Sequence, residues 1–174
     1  MTKFGPLSLT LAAGLFISFC AASSAAFAAP ADVQLLQSYI GEWKGRGVLT
    51  GADSESVVCK LSLREGNDDK VVYSGRCALA GTNLAIKGTL AYVDASQQYE
   101  AAMTSNAKFT GVAVGRKSGN GVVFNLKEKS SDDDGKPMTI SAVVALQGGA
   151  IGVEFNVVFN ETGDVIKASV PFTK

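Results

Sequence analysis

Hydrophobic and polar residues alternate with a period of two along most of the chain, from Trp43 to Phe172. Such alternation places one set of side chains on each face of a strand, which is typical of half-buried antiparallel sheet. The pattern predicts ten strands, which cover residues 43–49, 57–64, 71–79, 84–92, 99–103, 110–117, 122–129, 137–146, 151–160 and 165–172.

The segments between these strands are short and rich in turn-forming residues. Asn120-Gly121 is the strongest hairpin signal, and residues 131–135, 147–150 and 160–164 form further polar turns. Because no long connection interrupts the series, a meander is the simplest topology, and closure of a meander removes its exposed edges. The predicted fold is all-β: an antiparallel up-and-down barrel of about ten strands.

One short helix is predicted before the first strand. Val33, Leu36, Tyr39 and Ile40 fall on one helical face, and Asp32 is placed to cap the helix. We therefore expect about two helical turns over residues 32–40.

The first 28 residues have the form of a secretory signal peptide. Lys3 precedes an apolar run over residues 7–19, and Ala26-Phe27-Ala28 matches a small-residue cleavage site. The run is short for a retained membrane anchor. We expect one domain over residues 29–174 that is periplasmic or secreted and not transmembrane after cleavage. Phe19 disfavours lipidation of Cys20.

Two cysteines remain after cleavage, and their spacing is symmetric. Cys59 and Cys77 lie at equal distances from Asp68 in the turn Gly66-Asn67-Asp68-Asp69, so one hairpin places them opposite each other. An even count in an oxidising compartment indicates a disulfide, and two free buried cysteines are the alternative. Both cysteines share the phase of the apolar residues, which predicts an inward, structural bridge.

The first strand carries a motif of known barrels. Gly41-x-Trp43-x-Gly45-x-Gly47 resembles the opening of calycin-like barrels, namely lipocalins and, more closely, nitrobindin-like proteins. In lipocalins this Trp closes the barrel bottom beneath an Arg of the last strand, and here the last strand offers only Lys167. Nitrobindin-like barrels bind haem through a His, and this chain has none. The resemblance therefore implies the architecture without the haem, and no cofactor is expected.

A second resemblance concerns small bacterial periplasmic metalloprotease inhibitors. Gly41-x-Trp43, the segment Cys59–Leu63 and Gly75-Arg76-Cys77 are similar to their barrel. Those inhibitors are shorter and insert an N-terminal tail into the protease, whereas the tail here spans only residues 29–32. This resemblance implies the alternative function of a protein-interaction or protease-inhibitor-like module.

Composition disfavours catalysis and nucleic-acid binding. The chain has 16 basic residues, 16 acidic residues and no His, so the usual general base and metal ligand near neutral pH is absent. Asp132-Asp133-Asp134 could bind calcium weakly, but a solvated hairpin tip is the preferred interpretation. We expect a protein that is not an enzyme and has no metal site.

The barrel interior is the first candidate site. Four glycines fall on the inward face, namely Gly45, Gly47, Gly75 and Gly88. Inward glycines can mark a cavity, or they can only permit strand coiling and bends. A cavity would be largely apolar, with Tyr hydroxyls as polar contacts, and would suit a small hydrophobic ligand. The candidate ligand-binding residues are Trp43, Tyr73, Tyr92, Tyr99, Met103, Phe124 and Phe155.

The outer face of the first four strands is the second candidate site. Its predicted basic residues are Lys44, Arg46, Lys60, Arg64, Lys70, Arg76 and Lys87, and we expect no acidic residue among them. The cysteine register also places Lys60 opposite Arg76, where like charges are mildly destabilising. The face could bind an anionic protein or lipid surface, and a solvated barrel wall is the alternative.

Overall fold

The computed structural model describes residues 30–79, 81–107, 109–132 and 134–174. These form one helix and ten strands: α1 (Pro30–Gln37), β1 (Gly41–Thr50), β2 (Ser54–Glu65), β3 (Val71–Leu79), β4 (Thr82–Val93), β5 (Gln98–Ser105), β6 (Thr110–Ser118), β7 (Gly121–Ser131), β8 (Pro137–Gln147), β9 (Ala150–Phe159) and β10 (Val165–Thr173). The predicted signal peptide, with Cys20, lies outside the described residues.

The strands form a closed barrel in which each one pairs with its neighbours in the sequence. All pairs are antiparallel, and β10 pairs with β1 to complete the ring, with Gly45 opposite Phe172 and Leu49 opposite Ala168. The predicted ten-stranded up-and-down barrel is confirmed.

The helix ends three residues earlier than predicted. The amides of Tyr39 and Ile40 donate to the carbonyls of Leu36 and Gln37, at 3.1 and 3.0 Å. These three-residue hydrogen bonds tighten the chain after α1 and lead it into β1 at Gly41, whose φ of 144° favours glycine. Tyr39 is buried, as its phase predicted, but it lies in the connection and not in the helix. Within the described residues, no helix is both long and apolar enough to cross a membrane.

The cysteine hairpin forms as its symmetry predicted. Cys59 and Cys77 are directly opposite each other on β2 and β3, joined by a disulfide, with their Cα atoms 4.0 Å apart. This close spacing is typical of a non-hydrogen-bonded pair. Asp68 and Asp69 form the turn with positive φ angles of 55° and 58°. Lys60 lies opposite Arg76, as expected.

The core is concentrated at the end of the barrel where α1 lies. The largest fully buried side chains are Trp43, Phe124, Leu36, Leu146, Ile151, Val71 and Val122, all on α1 or near that end of their strands. We call this end, where β1, β3, β5, β7 and β9 begin, the closed half. The end where these strands finish is the open half.

Candidate ligand site

Trp43 closes the barrel at the end of α1. Its side chain is 1% exposed, its indole Nε1 donates to the carbonyl of Tyr39 at 2.9 Å, and the two rings stack with centroids 6.2 Å apart. The Nζ of Lys174 lies 5.0 Å from the centre of the Trp43 ring. The last strand offers only Lys167, as expected, but the cation over Trp43 comes from a residue that follows the strand. Lys167 lies outward near the open end of β10, and Lys174 follows that strand's last residue.

Asp32 joins the helix to the barrel. Its carboxylate accepts hydrogen bonds from the Tyr99 hydroxyl at 2.5 Å and from the Lys117 ammonium at 3.1 Å. The bond from Tyr99 is the main cause that lowers the pKa of Asp32, against the opposing effect of burial. Burial and the Asp32 carboxylate raise the pKa of Tyr99. Asp32 is the third residue of α1, so it is not the predicted cap. Its hydrogen bonds to Tyr99 and Lys117 connect the helix to β5 and β6.

The inward glycines leave no free space above them. A Cβ at Gly45 would meet the Phe172 ring at 2.8 Å, and a Cβ at Gly88 would meet the Tyr73 hydroxyl at 2.6 Å and overlap the carbonyl oxygen of Ala102. Neighbouring side chains or backbone also fill the space at Gly47 and Gly75. These four glycines therefore permit close approach of neighbouring groups, and the interpretation that they leave room for a ligand was wrong.

The seven candidate interior residues divide along the barrel axis. Trp43, Tyr99 and Phe124 are 1–2% exposed and belong to the packed core of the closed half. Tyr73 and Tyr92 are partly buried against that core. The Tyr73 hydroxyl already donates to the Ala102 carbonyl at 3.1 Å, and burial raises its pKa to about 12. The structure therefore does not bring the seven residues together around one space.

Met103 and Phe155 are the two members of that set that lie towards the open half. Both are partly exposed, and neither belongs to the packed core cluster of the described residues. Met103 lies opposite Gly88 and Gly111, and Phe155 lies opposite Ala142 and Ala168, so both share the inward phase.

Other inward-facing apolar residues of the open half are also partly exposed. Strand register places Leu84 opposite Cys77 and Ile86 opposite Gly75, on the inner face. The partly exposed set comprises Leu79, Leu84, Ile86, Met138, Phe159 and Ile166. Val57, Ile140 and Val157 are buried below this rim. The open half therefore presents an apolar inner surface that the protein itself only partly covers.

Glu128 is a polar residue of this region that the sequence reasoning missed. It follows Phe124 and Leu126 in the inward phase of β7, lies opposite the buried Ile140, and is partly buried. The alternation that identified Phe124 could have identified it. A carboxylate beside apolar side chains can orient a ligand that carries a hydrogen-bond donor or a positive charge.

The predicted basic residues of the outer face are all exposed, but an acidic residue shares their face. Glu42 on β1 accepts a hydrogen bond from the Ser62 hydroxyl at 2.6 Å and lies 3.8 Å from the Arg64 guanidinium. The expectation of no acidic residue there was therefore wrong. It failed because the phase of Lys44 and Arg46 was not extended one step back to the start of β1.

Asp132 of the acidic run has a structural role in the turn between β7 and β8. Its carboxylate accepts the backbone amides of Asp134 and Lys136, at 3.0 and 2.8 Å. Among the described residues, no group of three or more potential metal ligands was found.

Comparisons with known proteins show similarity in structure. No protein-family model matches the chain, and no curated protein is significantly similar in sequence. Rv2717c from M. tuberculosis superposes with a TM-score of 0.65 at 13% identity, over 84% of this chain and 98% of that one. This likeness shows the fold alone.

Two further barrels are more distant. The S-type phycobiliprotein lyase CPES from Guillardia theta has a TM-score of 0.48 at 9% identity, over 80% of this chain and 89% of its own. A de novo designed fluorescence-activating β-barrel has a TM-score of 0.41 at 13% identity, over 80% of this chain and 95% of its own. The closed ten-stranded antiparallel barrel is shown, whereas the calycin-like, nitrobindin-like and inhibitor-like relationships stay predictions.

Proposed function

We propose that this protein is an exported, non-enzymatic binding protein that holds a small hydrophobic ligand in the open half of its barrel. The observation that carries the proposal is the uneven burial of the inward-facing residues. Aromatic and aliphatic side chains fill the closed half, whereas Met103, Phe155 and their neighbours remain partly exposed on the inner face of the open half.

Burial of this surface supplies the binding energy. Apolar area removed from water contributes roughly 25 cal/mol per Å², so a ligand of modest size gains several kcal/mol from such a surface. Because α1 covers the closed end and the Asp32 hydrogen bonds attach it to β5 and β6, we expect a ligand to enter through the open end. Glu128 would contact a polar group of the ligand near the rim.

The disulfide supports the proposed location. Cystines persist in the periplasm and outside the cell, whereas thiol-reducing systems remove them from most cytosolic proteins. The pairing of Cys59 with Cys77 therefore agrees with export, which the sequence of residues 1–28 predicts.

Titration with the neutral apolar fluorophore N-phenyl-1-naphthylamine tests the site. We expect Met103→Arg to abolish or strongly weaken binding, because it places a charge on the inner face of the open half. Val112→Arg is the matched control, since Val112 lies on the adjacent strand β6, points outward and is 53% exposed. Equal binding by both variants and the wild type would place the fluorophore elsewhere and contradict the proposal.

Native mass spectrometry of the protein purified from its host addresses the natural ligand. We expect a co-purifying apolar molecule that is lost from the Met103→Arg variant and retained by Val112→Arg.

A further inference from the structure

A groove of about 600 Å³ runs along β2, β3 and β4. Outward-facing residues of these strands and of β5 provide its polar lining. Those that matter here are Lys60, Arg76, Lys87, Ser62, Ser74 and Thr104.

Strand register forces the basic side chains together. Lys44 lies directly opposite Lys60, and Lys60 lies directly opposite Arg76, which makes a row of three cations across β1, β2 and β3. Neighbouring strands are about 4.8 Å apart, and like charges at this spacing repel each other. Lys87 adds a fourth positive charge on β4, next to Ser74.

Within the part of the chain that the structure describes, no carboxylate neutralises this row. Glu42 is the acidic residue at the edge of the groove, and its carboxylate pairs with Arg64 and Ser62. Among the described residues there are three ion pairs, and none of them includes Lys44, Lys60 or Arg76.

A second groove on the barrel wall does not have the excess of positive charge that the first groove has. That groove, of about 710 Å³, is formed by β8, β9, β10 and β1, and it carries Glu154 together with Lys167. The two grooves are of similar size, and the first differs from the second mainly in its charge.

We propose that the groove on β2, β3 and β4 binds a soluble anion that carries several phosphate groups. Arg76 presents a planar fork that pairs with phosphate oxygens, and Lys60 and Lys87 add ammonium groups on either side. The groove also contains the hydroxyls of Ser74 and Thr104, which can contact further phosphate oxygens. A concave surface encloses a small multivalent anion on several sides, whereas it would meet a flat bilayer only at its edges.

The test is calorimetric titration of the full protein with inorganic tripolyphosphate at low salt. We expect Lys60→Gln combined with Arg76→Gln to weaken binding by roughly tenfold or more, because two charge-assisted contacts are lost. Lys127→Gln combined with Lys129→Gln is the matched control: it removes the same charge from exposed positions on β7 and should leave the affinity nearly unchanged.

The remaining outcomes overturn the proposal. Equal weakening in the two double variants would mean that net charge alone attracts the anion. Binding to phosphatidylcholine vesicles with about a third phosphatidylglycerol, without binding of tripolyphosphate, would assign the face to a membrane surface. If the protein bound neither probe, the groove would have no anionic partner and the proposal would fail. Thermal unfolding verifies that the variants fold, and unchanged binding of N-phenyl-1-naphthylamine separates this result from the interior site.

Discussion

The two halves of the barrel are built from the same alternating strands and yet differ in packing. In the closed half, α1 covers the barrel end, and Tyr39, Trp43 and Tyr99 join it to the strands through stacking and hydrogen bonds. In the open half, short turns join the strands and inward residues such as Met103 remain partly exposed. A single helix at one end of a closed barrel therefore accompanies a packed core in that half, while the inner face of the other half stays partly uncovered.

Truncation of one aromatic residue in each half gives the largest expected difference. Phe124→Ala should lower the free energy of unfolding by about 3–5 kcal/mol, because its ring is 1% exposed and packs edge-on against Tyr99. Phe155→Ala should cost only about 1 kcal/mol, since that side chain is partly exposed. Urea denaturation of the two variants measures both values, and equal losses would mean that the halves are packed alike.

The Asp32 hydrogen bonds give the second contrast, and they depend on pH. Asp32→Asn should destabilise the protein by about 1–2 kcal/mol near neutral pH, because a charge-assisted bond to Tyr99 and the ion pair with Lys117 are weakened. The folded state lowers the pKa of Asp32 below its ordinary 3.8, so this stabilisation is present above that pH and disappears as the pH falls through the folded-state pKa.

Thermal unfolding between neutral pH and about pH 3 checks this dependence. The difference between wild type and Asp32→Asn should shrink at the acidic end. Asp94→Asn in the exposed turn after β4 is the control, and it should change stability little at any pH. A constant difference across the range would show that the Asp32 charge does not hold the helix.

The smallest expected effect concerns the cation over Trp43. Lys174→Gln should lower the free energy of unfolding by about 0.5–1 kcal/mol through loss of the cation–π contact. Lys167→Gln, on β10 but distant from Trp43, should be close to neutral. Tryptophan fluorescence during denaturation follows both variants, and the interpretation fails if Lys167→Gln is the more destabilising of the two.

Most of the fold could be predicted from the sequence because the strand period determines which face each side chain occupies. The alternation through Cys59 and Cys77, centred on Asp68, even predicted the register of one hairpin correctly. The end of α1 and the place of Lys174 were not predictable in this way. Both depend on how the chain turns after a regular element ends, where no periodicity remains.

For the candidate site, the sequence predicted which residues point inward but not their positions along the barrel axis. The phase of a strand tells whether Trp43 or Phe155 points inward, but not how far along the barrel axis each lies from α1. That distance separates Phe124, which is buried core, from Met103, which is partly exposed. Glu42 and Glu128 were missed for a different reason, since both share the phase of residues that had been identified.

The pairing of β1 with β10 has a consequence for how the chain can be cut and rejoined. Gly41 and Lys174 lie side by side, as a Cβ on Gly41 would come within 3.3 Å of the Lys174 side chain. Asp32 holds the start of α1 at that same end of the barrel, so a linker could join residue 174 to α1, and new termini could be opened in the exposed turn between β9 and β10. Such a circular permutant would keep all ten strand pairs, while the order in which they emerge from the ribosome would change.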